Sequence, residues 1–474
     1  MPIPAVNVTI QDGALGQLPE ATDNIHVKVG VSSAGAVNTL YSIGDPKLLK
    51  DTLGTGPLVE SASHALAIAG GPVYLVRIAA SVAGAVGAVT KTGTGGGAIA
   101  IGGAPLDAYQ LIVQVTRDGA NLAAATGAFK YSLDGGDVFS PEIAIPTAGT
   151  YAVPNSGVTL TFTDGAGTSF TAGDQYVATA TAPGFTSGDL ATALNVLLAD
   201  PREWGFVHVV GAPSTAAGAA TLAAAVDSFM AQAEANYRYA FAVLEAPDDT
   251  DANLIAAFAN FATPRVVVAA GYEELVSQIT GRLSKRSSAW PVAARISKVP
   301  ISEDLGRVAT GSLPGVASLY RDEQATPGLD AQRFTTLRTI IGLQGFYVTN
   351  GKTMASTISD YQLLQFKRVM NRACKVARTG MLRFLNDSVR VDPATGRINE
   401  LDARAIESYV GGQLKAALVS PRHASDASIA VKRDQNIIST SQLPVRIRVT
   451  PLGYAKDIEI DIGFRNPALE PKAA

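Results

Sequence analysis

The segment Gly345–Thr353 is the first place to look for chemistry, because glycines beside a Lys-Thr pair can form a loop that binds phosphate. The pattern Gly-x-x-x-x-Gly-Lys-Ser/Thr needs a glycine where this chain has Phe346. The residues that lead into Asn350-Gly351 indicate instead a strand that enters a turn. A hydroxyl nucleophile at Thr353 would need a histidine base, and no histidine of the chain sits in a suitable motif. The segment therefore predicts neither phosphate binding nor acyl transfer.

Other side chains with catalytic or metal-binding potential also fail on spacing. Asp248, Asp249 and Asp251 cluster, but the glycine and the distal glutamate of a calcium-binding EF-hand loop are missing, so we interpret them as a helix N-cap with an acidic first turn. A single cysteine, Cys374, excludes internal disulfides, a multi-cysteine zinc site and an iron–sulfur cluster. The histidines fit no metal-ligand spacing; they are His26, His64, His208 and His423. We expect no enzyme, no metal and no cofactor, and a hydrogen-bonded core position for His208.

Composition narrows the class of protein further. The chain has 474 residues, which corresponds to roughly three domains at about 150 residues each. Hydrophobic residues make up 47% and charged residues 17%, which excludes an intrinsically disordered chain. The net charge of −3 favours no nucleic-acid partner. The start lacks the pattern of a signal peptide, and the most apolar segment, residues 65–89, is interrupted by Gly70-Gly71-Pro72 and Arg77. We expect no membrane insertion and a chain made in a cytoplasm, where it stays soluble.

Charge is divided unevenly along the chain. Residues 1–330 contain 17 basic and 29 acidic residues, a net of −12, whereas residues 331–474 contain 21 and 12, a net of +9. Much of the basic excess falls on a predicted helix over residues 361–387. Its apolar face carries Leu363, Phe366, Met370, Ala373, Ala377, Met381 and Phe384. The opposite face is basic and carries Lys367, Arg368, Arg372, Lys375, Arg378 and Arg383. A solvated helix face and an electrostatic docking strip for another protein both fit this pattern.

Residues 84–183 differ from the sequence around them. They are rich in Gly, Thr, Ala and Val, and short alternating runs such as Tyr109–Val115 and Val158–Phe162 are separated by turn signals such as Asp134-Gly135-Gly136. The segment predicts a β-sandwich or barrel. On both sides of it, continuous apolar strands alternate with helices, which is typical of a parallel sheet covered on both faces. The β domain is therefore predicted to be inserted into an α/β domain.

The two ends of the chain carry strands of alternating polarity. Their apolar positions are Val6, Val8 and Ile10 at the start, and Val445, Ile447, Val449, Ile458, Ile460 and Ile462 near the end. Residues 445–449 and 458–462 are predicted to form a hairpin across the turn near Pro451. A lone terminal strand needs a partner edge, either in its own subunit or in the sheet of a neighbour.

Four segments of the last third resemble the C-terminal half of contractile tail sheath proteins from bacteriophages and related injection machines. They are Gly311-Ser-Leu-Pro-Gly-Val, Gly345-Phe-Tyr-Val-Thr-Asn-Gly-Lys-Thr-Met-Ala, Ser359-Asp-Tyr and Arg368-Val-Met-Asn-Arg-Ala. The resemblance covers most of the chain from about Phe185 onward. It implies a subtilase-like α/β core without a catalytic triad, an inserted all-β domain, an α+β C-terminal domain and terminal strand arms.

The resemblance also implies a division of the chain. The N-terminal arm would be 1–20, the core 21–83 with 185–330, the insert 84–184, the C-terminal sheath domain 331–442 and the C-terminal arm 443–474. Exchanged strands would then map onto the nine apolar arm positions given above. For contact with a tail tube, the candidates are Lys367, Arg368, Arg372 and Lys375.

A sheath protein would polymerise as stacked hexameric rings around a tail tube protein and contract to drive that tube through a bacterial envelope. Its further partners would be baseplate and tail terminator proteins. It would be part of the virion and would assemble in the host cytoplasm. Two alternatives stay open at this point: another self-assembling virion protein of a tube or surface layer, or a divergent α/β hydrolase.

Overall fold

The computed structural model describes residues 22–464. Its strands are β1 (His26–Val31), β2 (Leu40–Ile43), β3 (Val73–Ile78), β4 (Thr90–Thr92), β5 (Ala98–Gly103), β6 (Tyr109–Arg117), β7 (Ala128–Ser132), β8 (Ile143–Ala144), β9 (Thr150–Ala152), β10 (Val158–Thr163), β11 (Gln175–Ala180), β12 (Phe206–Val209), β13 (Phe241–Glu245), β14 (Val266–Ala269), β15 (Tyr272–Val276), β16 (Leu283–Ser287), β17 (Val316–Leu319), β18 (Leu337–Arg338), β19 (Tyr347–Val348), β20 (Asp426–Val431) and β21 (Val445–Thr450).

The helices of the same residues are α1 (Pro46–Leu53), α2 (Pro57–Ala69), α3 (Ser187–Ala199), α4 (Ala216–Ala235), α5 (Asp251–Phe258), α6 (Ala289–Lys298), α7 (Leu364–Leu382), α8 (Glu400–Leu414) and α9 (Ile437–Thr440). A 3₁₀ turn covers Val308–Thr310, and α8 continues into a π-helical turn over Lys415–Val419. None of the helices within residues 22–464 is both long and apolar enough to span a membrane.

The core is a six-stranded sheet in the order β14-β13-β12-β1-β3-β2. All neighbouring strands are parallel except β2, which runs antiparallel to β3 at the edge. The central strands β1 and β12 are buried at every position because helices cover both faces of the sheet. One face packs on α3, α4 and α5, and the other on α1, α2 and α6. Strand β1 leads to β3 on one side, and β12 lies on its other side, so the strand order reverses between β1 and β12.

Between β3 and α3 the chain forms two antiparallel sheets. One has the order β4-β11-β6-β7-β8 and the other β5-β10-β9, and they share one apolar core that includes Phe129, Phe162 and Tyr176. All of these strands lie within the predicted insert. The chain enters and leaves through one neck, where Val82 and Gly184 donate backbone hydrogen bonds to each other. The structure is thus a mixed α/β fold with several sheets and several domains; its likeness to subtilases stays a prediction.

The last part of the chain packs helices α7 and α8 against a two-stranded sheet of β20 and β21. Strand β21 pairs antiparallel with β20, from Asp426 opposite Thr450 to Val431 opposite Val445. The predicted hairpin between residues 445–449 and 458–462 is therefore wrong, and residues 451–464 form neither helix nor strand. The apolar face of β21 instead contacts β20 and helices α7 and α8, where Ile447 and Val449 pack on the buried core.

Candidate assembly interface

The C-terminal segment, residues 457–464, follows two residues that anchor the chain to the body of the subunit. The Tyr454 hydroxyl donates to the Ser302 carbonyl at 2.5 Å, and the Lys456 ammonium donates to Asn350 Oδ1 at 2.7 Å and to a carboxylate oxygen of Asp304. Beyond Lys456, no hydrogen bond joins residues 457–464 to the rest of the described chain. Three of the predicted arm positions are solvent-exposed there: Ile458 and Ile460 at 72% and Ile462 at 91%.

Strand β21 presents an open edge close to the point where this segment begins. Its sheet contains only β20 and β21 among residues 22–464, so one edge of β21 has no described neighbour. Val445, Ile447 and Val449 are half-buried on the inner face, whereas Arg446 and Arg448 are exposed. An extended strand with the complementary pattern could add to this edge by main-chain hydrogen bonds. The predicted N-terminal arm positions Val6, Val8 and Ile10 lie outside the described residues.

The structure places the four candidate tube-contacting residues inside the subunit. Lys367, Arg368, Arg372 and Lys375 are each at most 9% exposed. Their face of α7 packs on the core, where Lys367 Nζ lies 2.6 Å from Glu234 Oε1. Asp23 lies 3.6 Å from Arg372 Nε and 3.5 Å from Lys375 Nζ. The prediction of an exposed docking strip is therefore wrong, because these charges join the C-terminal domain to the core.

Arg368 makes the most extensive of these contacts. Its guanidinium donates to the carbonyls of Ile296, Val299 and Pro300 at 3.0, 3.2 and 3.2 Å, and to Asn24 Oδ1 at 2.9 Å. These carbonyls lie at and just beyond the C-terminus of α6, where a helix leaves acceptors without intrahelical partners. Burial lowers the pKa of Arg368 to about 10. The sequence contains one signal that this face is buried: Leu364, an apolar residue, lies one turn before Arg368. In the structure Leu364 is fully buried.

A second network of buried polar side chains lies at the core sheet. Of its residues, only His208 was singled out from the sequence. Lys28 Nζ lies 2.9 Å from Ser61 Oγ and 2.8 Å from His208 Nδ1. His208 Nε2 lies 3.7 Å from Glu245 Oε1, beyond hydrogen-bond distance, and that oxygen accepts a hydrogen bond from Trp290 Nε1 at 2.7 Å. The predicted hydrogen-bonded core position of His208 is confirmed. Burial lowers the pKa of Lys28 to about 7 and raises that of Glu245 to about 7.

This network has the residue types of a nucleophile and a base, but not the access that a reaction needs. Ser61, Lys28 and His208 are all 0% exposed, so no substrate can reach Ser61 Oγ. Thr353, the other hydroxyl considered above, is buried and donates to the Tyr361 carbonyl at 2.6 Å. Within residues 22–464, no group of three His, Cys, Asp or Glu side chains could hold a metal ion. The network therefore orders the core.

Solved structures of two contractile sheaths and of a baseplate share this fold over nearly the whole chain. A chain of the extracellular contractile injection system PVC, from its sheath complex in the contracted state, has a TM-score of 0.56 at 11% identity, covering 99% of both chains. The contracted helical sheath of the anti-feeding prophage has a TM-score of 0.54 at 11% identity, covering 98% of this chain and 99% of that one. A chain of the anti-feeding prophage baseplate has a TM-score of 0.54 at 10% identity, covering 98% and 100%. At this identity the likeness shows the fold.

Sequence families give the identity. No curated protein matches the chain. The C-terminal domain of DUF2586 matches residues 360–469, and the N-terminal domain of DUF2586 matches residues 3–352. The second match alone covers more than half of the sequence, and the chain therefore belongs to the DUF2586 family.

Proposed function

We propose that this chain is the sheath subunit of a contractile tail or injection machine. The observation that carries the proposal is the fold shared with contracted sheath chains over 98–99% of this chain. The subunit assembles into stacked hexameric rings around a tail tube protein, between a baseplate and a tail terminator, and its contraction drives the tube through a bacterial envelope. It is part of the virion or particle and assembles in the host cytoplasm.

The C-terminal segment supplies the strand that links neighbouring subunits. Its exposed isoleucines alternate with Glu459 and Asp461, whereas the open edge of β21 alternates half-buried apolar residues with Arg446 and Arg448. When the segment of one subunit adds to β21 of the next, the isoleucines extend the apolar face and the carboxylates lie beside the arginines. Opposite charges on neighbouring strands contribute about 0.2–1 kcal/mol per pair, and each backbone hydrogen bond about 0.5–1.5 kcal/mol.

Charge favours β21 over β20 as the edge that receives this strand. The exposed face of β20 carries Asp426, Ser428 and Ala430, which offers no positive charge to Glu459 or Asp461. The outer edge of β20 over residues 426–430 has no strand neighbour among the described residues, and we assign to it the uncharged run Val6–Ile10 of another subunit. We also propose that the chain divides into arms, core, insert and C-terminal domain at the boundaries given above. The core and the C-terminal domain then meet near residue 331.

Such links can persist while rigid subunits rotate, because the main-chain hydrogen bonds of an added strand do not depend on the orientation of the domain behind it. Contraction without a nucleotide requires an extended state of higher free energy than the contracted one. A gain of about 1.4 kcal/mol per subunit is a tenfold bias, which many coupled subunits multiply into an irreversible transition.

Electron microscopy of the purified chain tests the proposal, with two truncations as a matched pair. The full chain and a chain ending at Phe464 are expected to form striated hollow polymers wide enough to surround a tube. A chain ending at Asp457 is expected to stay monomeric with the same thermal unfolding midpoint as the chain ending at Phe464, because the side chains of residues 458–464, by which the two differ, are exposed.

The two parts of the proposal fail differently. A full chain that stays monomeric, alone and with the cognate tube protein, contradicts the sheath function. Normal polymers from the chain ending at Asp457 contradict the strand link and leave the sheath function standing.

A further inference from the structure

A cleft of about 830 Å³ lies between the core and the insert. Its floor is formed at the carboxyl ends of β1, β12 and β13, by Val31, Val210 and Glu245, and its opposite wall by insert residues that include Tyr109 and Asp134. Open α/β sheets bind ligands outside the carboxyl ends of their strands, where the strand order reverses. In this sheet that point falls between β1 and β12, which is the position of the cleft. Its volume is typical of a small-molecule site.

The cleft has more carboxylates than cations. The acidic residues that line it are Asp134, Asp137, Glu245, Asp248 and Glu274, and the basic ones are Lys285 and Arg286. Both cations are already paired. Arg286 is buried and binds Asp107 through two hydrogen bonds of 2.7 Å, and the Lys285 ammonium donates to a carboxylate oxygen of Asp248. The lining therefore has an unbalanced negative charge.

Two of these carboxylates are buried, and one of them has an oxygen that accepts no hydrogen bond from the described residues. Asp134 is 9% exposed, and its Oδ1 accepts from Ser132 and Val138. Its Oδ2 accepts no hydrogen bond from the described residues and lies 3.6 Å from Arg282 Nε. Glu245 is 7% exposed and accepts hydrogen bonds from Trp290 Nε1 and the Gly211 backbone, but burial still raises its pKa to about 7. A bound cation would offset this desolvation, because an opposite charge nearby favours the ionised carboxylate.

The remaining walls suit an apolar body that carries an ammonium group. Pro57, Pro183, Phe185 and Leu283 contribute apolar surface to the cleft. The Lys285 ammonium already occupies such surroundings: it lies 5.2 Å from the ring centre of Tyr272 and 4.6 Å from that of Tyr320, beside a carboxylate. Aromatic faces and carboxylates together attract protonated amines.

We propose that the cleft between core and insert binds a small organic amine, with its aliphatic body on the apolar wall and its ammonium group beside the Glu245 carboxylate on the floor. This ligand site is independent of the sheath function, since it needs no neighbouring subunit. Ligand bound there contacts both domains and stabilises their relative position.

Isothermal titration calorimetry on the full chain, in its unpolymerised form, tests the proposal with 1-hexylamine as the probe and hexanoate and 1-hexanol as matched controls of the same length. Hexylamine is expected to bind saturably. The two controls are expected to bind at least about tenfold more weakly, because they lack the charge-assisted hydrogen bond.

Three variants complete the experiment. Glu245→Gln keeps an acceptor for Trp290 and should weaken hexylamine binding about tenfold. Asp137→Asn changes an exposed residue of the cleft, so it folds, and should weaken binding about threefold through the loss of one nearby charge. Asp51→Asn removes the same charge on α1, outside the cleft, and should bind hexylamine like the unmodified chain.

Three results would each overturn the proposal. They are the absence of saturable hexylamine binding, equal binding of hexanoate or hexanol, and equal weakening of binding by Asp51→Asn.

Discussion

At the scale of single residues, the subunit buries ionisable side chains both as charged groups and as neutral ones. Arg368 keeps its charge because the carbonyls at the end of α6 accept hydrogen bonds from its guanidinium. His64 is instead buried as a neutral ring. It is 2% exposed, and neither ring nitrogen has a hydrogen-bond partner among the described residues. Burial lowers its pKa to about 3. The first group supports the fold as a cation and the second only as a neutral ring.

Replacing Arg368 should therefore destabilise the isolated subunit. Arg368→Gln is expected to lower the free energy of unfolding by about 2–4 kcal/mol, because buried carbonyls lose a charged donor. Urea unfolding followed by tryptophan fluorescence measures this. The control is Arg404→Gln on α8, whose exposed pair with Glu400 should contribute less than about 0.5 kcal/mol. Equal effects of the two variants would contradict the buried role of Arg368.

His64 makes a prediction about acid. The unfolded imidazole binds a proton below about pH 6.5, whereas the folded one does so only near pH 3. Its contribution to stability is therefore present above pH 6.5 and is lost as the pH falls, at about 1.4 kcal/mol per pH unit between pH 5.5 and 4. His64→Leu should remove that part of the slope. Urea unfolding at several pH values checks it, and above pH 7.5 the slopes of the two proteins should coincide.

At the scale of elements, β16 holds the insert to the core. Its Arg286 forms the buried bidentate pair with Asp107, and Arg282, one residue before the strand, lies beside Asp134. A bidentate guanidinium–carboxylate pair fixes orientation as well as distance. The strand therefore sets the angle at which the insert leaves the core sheet.

Breaking this pair should loosen the insert. Asp107→Asn leaves the buried Arg286 guanidinium without a counter-charge and is expected to cost about 3 kcal/mol of unfolding free energy. Faster proteolytic cleavage near the neck should accompany the loss. In the matched control, Glu142→Gln, the exposed pair with Arg117 is removed inside the insert, and the cost should stay below about 1 kcal/mol. Unchanged cleavage in Asp107→Asn would contradict the role of β16.

At the scale of the whole molecule, the insert is a separate unit on a single neck. Within residues 22–464, its apolar core contains only residues of its own strands and turns. The reciprocal hydrogen bonds between Val82 and Gly184 place the two connecting chains side by side, as in a hairpin. Removing everything between them requires no long link.

Excision of residues 83–183, replaced by Asn-Gly, should therefore leave a folded core. An Asn-Gly turn joins antiparallel strands with two residues. The excision removes Asp107, the partner of Arg286, but the Arg286 guanidinium would then face water. We expect a cooperative thermal transition and a helix-rich circular dichroism spectrum. The insert alone, residues 82–184, should give a β-rich spectrum with its own transition. A core that unfolds without cooperativity would contradict this independence.

The sequence predicted the elements of the core and insert better than the contacts between domains. Periodicity identified the strands of the parallel sheet and helix α7, because each buries an apolar face that is visible in a short window. It misassigned the basic face of α7, since the partners Asp23 and Glu234 lie far away in the sequence. It also paired β21 with the wrong strand, because Asp426–Val431 contains Ser and Ala at its exposed positions and shows little alternation.

The charges of the C-terminal segment have a consequence for unassembled subunits. Exposed strands of alternating isoleucine can stack with identical copies about 4.8 Å apart and grow into amyloid-like fibrils. In such an in-register stack, every Glu459 and every Asp461 would lie directly beside its own copy, and the accumulated repulsion opposes growth. The same carboxylates attract an arginine-bearing edge. Free subunits can thus reach the high concentrations that particle construction demands without condensing into the wrong fibre.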